Sequence, residues 1–137
     1  MTSTVEWKGG LEFAGTFSSG HAMTMDVPED RGGTNKGPRP VEMLLMGLAG
    51  CTGIDVIEIL RKKRQRVSSF KVLVSGERRE AHPRIFETIR IVYEVAGEEL
   101  DPNAIRQAVA LSEEKYCSVS AMLRQSAALT TEIRIVP

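Results

Sequence analysis

Apolar and polar positions alternate over the first part of the chain: Trp7, Leu11, Phe13, Gly15 and Phe17, then Ala22 with Met23 and Met25, broken at Gly9-Gly10 and at Ser18-Ser19-Gly20. A period of two with turn residues at the breaks predicts a three-stranded meander from Val5 to Asp26. Pro28 to Pro40, with Gly32-Gly33 and Gly37-Pro38, reads as a loop, long enough for a structureless connection to suggest function. Pro40 fits the first turn of a helix, where its missing N–H is one of the orphan donors anyway. The basic cluster Arg61-Lys62-Lys63-Arg64 suits a helix C-terminus, so the helix is predicted to run from Pro40 to about Arg64.

Between Met43 and Ile54 that helix is apolar nearly all round, which predicts burial against a sheet. Two strands follow, Phe70 to Arg79 and Ile85 to Ala96, joined by a turn around His82-Pro83, with Ile85, Ile89, Ile91, Tyr93 and Val95 on one face. Asp101-Pro102 reads as an N-cap with proline at the first helical position, opening a helix to about Lys115. A shorter helix, Ser118 to Ser126, and a last strand, Thr130 to Val136, complete an α+β order of strand-strand-strand-helix-strand-strand-helix-helix-strand.

Length and charge narrow the classes. At 137 residues the chain is expected to be one domain, 1–137, able to stay folded without disulfides. Eighteen basic and eighteen acidic side chains cancel, so no net field draws it to phosphate and nucleic acid is not expected as a partner. The start, Met1 to Lys8, lacks a basic and an apolar signal region. The longest uncharged apolar stretch, Met43 to Ile54, is shorter than the roughly 18 residues of a membrane span. The expectation is a cytoplasmic protein without membrane contact. In a reducing compartment two cysteines are not a structural framework, and their 66-position separation without nearby histidine matches no zinc pattern. His21 and His82 are assigned to no metal, and no cofactor is expected.

The two cysteines carry the candidate chemistry. Cys51 lies in the apolar run Met43 to Ile54, where free cysteine commonly packs as a small hydrophobe and where little of the helix dipole reaches it. A nearby cation would be needed to favour its thiolate. Cys117 sits at the start of the short second helix, facing unpaired N–H groups that stabilise an anion. Gly47, Gly50 and Gly53 form a slowly drifting stripe on the long helix, read either as close packing of another element or as room beside Cys51 for a ligand. Two thiols far apart in sequence and close in space would make a redox couple.

Gly33-Thr34-Asn35 followed by Pro40-Val41-Glu42-Met43-Leu44-Leu45-Met46-Gly47-Leu48-Ala49-Gly50-Cys51 resembles the loop and central-helix motif of the OsmC/Ohr family. Glu113-Glu114-Lys115-Tyr116-Cys117-Ser118-Val119 is similar to that family's second cysteine motif, and the resemblance covers essentially the whole chain. It implies an intertwined homodimer with the cysteine sites near the subunit boundary, and thiol-dependent reduction of organic hydroperoxides. In that chemistry Cys51 attacks the peroxide, Cys117 resolves the sulfenic acid as a disulfide, and an external dithiol restores both. Met43, Leu45, Met46, Leu48 and Ile54 would supply an apolar pocket.

The resemblance also implies a glutamate ten residues before the first cysteine, working with an arginine from the preceding loop. Here that position is Val41, and Glu42 is turned about 100 degrees from it. Arg31 and Arg39 are the candidate cations. Two readings follow: a two-cysteine peroxidase, with weak or absent activity if no cation serves Cys51, or a non-catalytic dimer that binds an apolar ligand or senses redox state slowly.

Overall fold

The alternating N-terminal segment folds as the predicted meander. In a computed structural model describing residues 1–137, strands β1 (Ser3–Trp7), β2 (Phe13–Phe17) and β3 (Ala22–Met25) pair antiparallel in the order β1-β2-β3. Trp7 faces Phe13, and Phe13 faces Met25 across the next pair. Gly9 (φ +103) and Gly10 (φ +53) adopt the left-handed conformations that let the first hairpin turn, and the Trp7 indole N–H donates to the Gly10 carbonyl at 2.9 Å.

The segment from Pro28 to Pro40 is ordered rather than structureless. It contains a 3-10 turn, Glu29–Arg31, and is gathered around Asp26, which is 2% exposed. The Asp26 carboxylate accepts from Val27 N at 2.7 Å, Thr34 Oγ1 at 2.9 Å and Lys36 N at 3.1 Å. The Val27 N–H, with those of Lys36 and Thr34 and the Thr34 hydroxyl, holds the Asp26 carboxyl below its ordinary range against the opposing effect of burial. Gly37 runs so close to β3 that a Cβ there would lie 2.3 Å from the Thr24 carbonyl oxygen.

The chain packs as two compact units, Met1–Leu44 and Leu45–Pro137. The long helix α1 (Pro40–Lys62) begins in the first and continues through the second. Pro40 opens it as predicted, and it ends two residues short of Arg64, which adopts a positive φ of 57 degrees.

In the second unit β4 (Arg66–Arg78) and β5 (Phe86–Glu98) pair antiparallel, and β6 (Ala128–Ile135) joins β5 in parallel. A parallel neighbour requires a crossover. Here it is α2 (Pro102–Leu111), a π-helical turn (Ser112–Tyr116) and α3 (Ser118–Leu123). Asp101 caps α2 by accepting from Asn103 N, with Pro102 at the first position, as its sequence predicts. The helix does not run on to Lys115: the Cys117 N–H reaches the Ser112 carbonyl at 2.7 Å, five residues back, and widens the last turn.

The alternation read from β5 is the core. Ile89, Ile91, Tyr93 and Val95 are all buried, as are Ile105 and Ala108 of α2 and one stripe of α1, Leu48, Thr52, Val56 and Leu60. By length and composition α1 could cross a membrane. Its apolarity predicts burial all round, but the sheet lies on one side only. Met46 and Ile54 stay 74% and 70% exposed within the chain. The glycine stripe is covered only at Gly53, where a Cβ would meet Val72 at 3.5 Å; at Gly47 and Gly50 it would meet nothing within 4 Å.

Candidate functional site

The crossover brings the two cysteines together. Cys51 sits in mid-α1, and Cys117 occupies the N-cap of α3. Their sulfur atoms and a carboxylate oxygen of Asp55 all lie within 4.8 Å of one another. Both thiols are free; Cys51 is partly exposed and Cys117 buried. Asp55 belongs here because it follows Cys51 by four residues, one turn along the same helical face.

The first N–H groups of α3 are divided between the two sulfurs. The Ser120 N–H donates to Cys117 Sγ at 3.4 Å, while the Val119 N–H is directed to Cys51. Ser118 Oγ lies 4.0 Å from Cys51 Sγ. Burial pushes the Cys51 thiol up, but donation from Val119, Cys117 and Ser118 outweighs it and leaves the thiol below its ordinary range, against the charge of Asp55. For Cys117 burial dominates and its proton is held further by the bond it gives Cys51, so that thiol is pushed up despite the Ser120 N–H. The sequence favours Cys117 as the better-placed anion; the structure reverses this, because α3 turns an amide toward Cys51 and buries Cys117.

No cation is among the groups that lower Cys51. Arg31 lies in the 3-10 turn and Arg39 directly before α1. Neither guanidinium enters an ion pair. Glu42 is occupied locally: its Oε2 accepts the Arg39 N–H at 2.9 Å, as the N3 glutamate of a capping box does. Capping explains why a glutamate stands at this position of the helix.

Behind the thiols runs a hydrogen-bonded chain of buried hydroxyls. Ser112 Oγ donates to Asp55 Oδ2 at 2.9 Å and stands 2.7 Å from Thr52 Oγ1. Thr52 Oγ1 in turn is 2.8 Å from the Tyr93 hydroxyl, which donates to Glu113 Oε1 at 2.8 Å. Thr131 Oγ1 also donates to Glu113, at 2.7 Å. Thr52, Tyr93 and Ser112 are fully buried. The end bonds take the Tyr93 and Ser112 protons, and Thr52 has one proton for its two neighbours. Burial pushes the Tyr93 hydroxyl far above its ordinary value, with Glu113 adding to the shift and Thr52 opposing it.

Residue spacing does not disclose this chain, since it joins α1, β5 and the π turn. The signal available in the sequence is Thr52, a polar residue inside the most apolar stretch. A polar side chain buried at such a position requires a partner. Along α1 an open groove of about 840 Å³ is lined by Gly50, Gly53, Ile54, Ile57, Phe70 and Val72 among others, with neither cysteine among its lining residues. Of the residues expected to form an apolar pocket, Ile54 lines this groove and Leu48 is core.

The fold has counterparts in known proteins. A family model described as OsmC-like protein matches residues 33–132, spanning both cysteines. Protein YhfA of Escherichia coli K12 is 42% identical over 136 residues, covering 99% of this chain and 98% of that one. A crystal structure of a hypothetical protein from Aquifex aeolicus VF5 superposes with a TM-score of 0.87 at 38% identity, over 98% of this chain and 95% of the other. An organic hydroperoxide resistance protein OsmC from Legionella pneumophila shares the fold, with a TM-score of 0.70 at 15% identity over 98% and 97% of the two chains. The chain, with its two cysteines brought together by the crossover, therefore belongs to the OsmC-like protein family.

Proposed function

We propose that this protein reduces organic hydroperoxides through a Cys51–Cys117 couple. The observation that carries the reading is the approach of two free thiols, 66 positions apart in sequence, to within 4.8 Å. The opposite directions of their acidities assign the roles: Cys51 attacks, Cys117 resolves. The name of the Legionella pneumophila structural neighbour supports the same chemistry.

Cys51, as thiolate, attacks the distal peroxide oxygen. The O–O bond breaks, the alkoxide leaves and takes a proton to become the alcohol, and Cys51 becomes a sulfenic acid. Cys117 then loses its proton and attacks the Cys51 sulfur; hydroxide leaves, takes that proton and departs as water, and a disulfide forms. An external dithiol reduces it, becoming a disulfide itself and returning both thiols. Such a reductant belongs to a reducing compartment, in keeping with a cytoplasmic location. The apolar groove along α1 reaches Gly50, the residue before Cys51, and suits an apolar organic group on the peroxide.

Neutral donors stabilise a thiolate less than an arginine does, so turnover is expected to be slow. Arg31 and Arg39, which enter no ion pair, are the candidate cations for the thiolate. Exposed Met46 and Ile54, and the open glycines 47 and 50, favour a homodimer that covers this face of α1. The same groove supports a second reading, a non-catalytic dimer holding an apolar ligand or responding slowly to oxidants.

Mass spectrometry after stoichiometric cumene hydroperoxide separates the two. A Cys51–Cys117 disulfide that Cys51→Ser abolishes is the expected result, with Arg31→Ala and Arg39→Ala read for slower formation. Two untouched thiols would leave only the binding protein.

A further inference from the structure

The thiol pair has a third member that hydroperoxide chemistry does not use. Asp55 places a carboxylate oxygen within 4.8 Å of both sulfurs, yet it forms no ion pair. An acid beside a nucleophilic thiol is costly unless a positive charge sits between them. Two sulfurs and a carboxylate without a cation make a site of latent negative charge.

We propose that Cys51, Cys117 and Asp55 form a three-ligand site for a soft divalent cation, Zn²⁺ being the best match to two thiolates and one carboxylate. Tetrahedral zinc, with bonds of about 2.3 Å to sulfur and about 2.0–2.2 Å to oxygen, holds its ligand atoms roughly 3.5–3.8 Å apart. The observed spread closes to this by about an ångström of side-chain movement.

The ligands are also held from behind, as metal ligands generally are. Ser118 Oγ lies 4.0 Å from Cys51 Sγ, the Ser120 N–H donates to Cys117, and the Ser112 hydroxyl to Oδ2 of Asp55, which leaves Oδ1 free. Ser112 is itself fixed by the buried chain through Thr52 and Tyr93 to Glu113. A buried relay that ends on an unpaired carboxylate is an expensive way to hold a surface acid; as the support of a ligand it has a function. Three protein ligands leave a fourth position open, and the partial exposure of Cys51 gives an ion a way in. Histidine spacing could not disclose the site, because its sulfurs come from α1 and the crossover.

The inference goes beyond the peroxidase reading and does not rest on it. The two states exclude one another. A bound ion occupies both thiolates; oxidation by a hydroperoxide, which turns two thiolates, one peroxide and two protons into a disulfide, an alcohol and water, removes the sulfur ligands and releases it.

The test titrates the reduced, chelator-treated full chain with Co²⁺ and then Zn²⁺, without peroxide. The expected result is one ion per chain, with thiolate-to-cobalt charge transfer and the intense visible bands of tetrahedral cobalt, both erased by Zn²⁺. Asp55→Asn should weaken binding at least 10-fold with charge transfer retained, and Ser112→Ala about 10-fold through loss of orientation. Cys51→Ser and Cys117→Ser should each remove about half of the charge-transfer intensity. In the unaltered chain, stoichiometric Zn²⁺ should block iodoacetamide at both cysteines, and a chelator should restore it. Absence of charge transfer, or Zn²⁺-independent alkylation, overturns the site. Equal affinity in Asp55→Asn overturns the role of Asp55.

Discussion

The Cys117 sulfur caps the helix whose next amide is turned on Cys51, so one short turn of backbone makes the two thiols unequal. Iodoacetamide labelling followed by mass spectrometry across pH should find Cys51 modified first, beginning below the ordinary thiol value of about 8.5, and Cys117 only above it. The stability linkage has two signs. Cys51, lowered in the fold, contributes stability that is present above its ordinary value and lost as pH falls through its folded one; Cys117, raised, contributes stability that is lost as pH rises above about 8.5. Labelling of both at one rate would show that α3 does not distinguish them.

Asp55 works against the Cys51 anion. Asp55→Asn removes that charge, so alkylation of Cys51 at neutral pH in the presence of a chelator should accelerate, while Cys117 changes less. A slower Cys51 in this variant would mean that the carboxylate aids the thiol.

The buried hydroxyl chain makes a graded stability prediction. Thr52 has one proton for two neighbours, so Thr52→Val removes one effective hydrogen bond and should cost about 1 kcal/mol in urea unfolding. Tyr93→Phe removes the donor to Glu113 and the partner of Thr52 at once, and should cost more, about 1–3 kcal/mol. The tyrosine also carries a pH signature. Its folded value is raised, so its contribution is complete below about 10 and lost as pH rises beyond it; Tyr93→Phe should flatten that alkaline loss.

Two glycine-to-alanine changes should differ because their surroundings differ. Gly37→Ala drives a Cβ to 2.3 Å from the Thr24 carbonyl oxygen and should destabilise by about 1–3 kcal/mol in thermal or urea unfolding. Gly50→Ala meets nothing in its own chain. In the proposed dimer it meets the second copy, and sedimentation should show weakened association. A gain of about 1 kcal/mol from helix propensity, with association unchanged, would mean that the stripe is open to water.

Local chemistry made most of the secondary structure legible. Period-two alternation marked the meander and β5, Pro40 opened α1, and Asp101-Pro102 opened α2, because each signal acts through its immediate neighbours. The end of α2 was missed: a π turn is set by where Ser112 and Cys117 are pulled, and no propensity encodes it. The cysteines were legible as candidates, but their acidities were not.

By itself the sequence determined the order of elements, the family and the two thiols, since all three are written in residue type and short spacing. The tertiary structure alone decided which thiol is the better anion, because desolvation and amide direction depend on how α3 meets α1. It also decided that Thr52, Tyr93, Ser112 and Glu113 form one chain behind Asp55, and that α1 buries a single stripe. Both depend on contacts between residues far apart in sequence, where a buried polar group must find its partner and an apolar face can be covered only by the surface that lies against it.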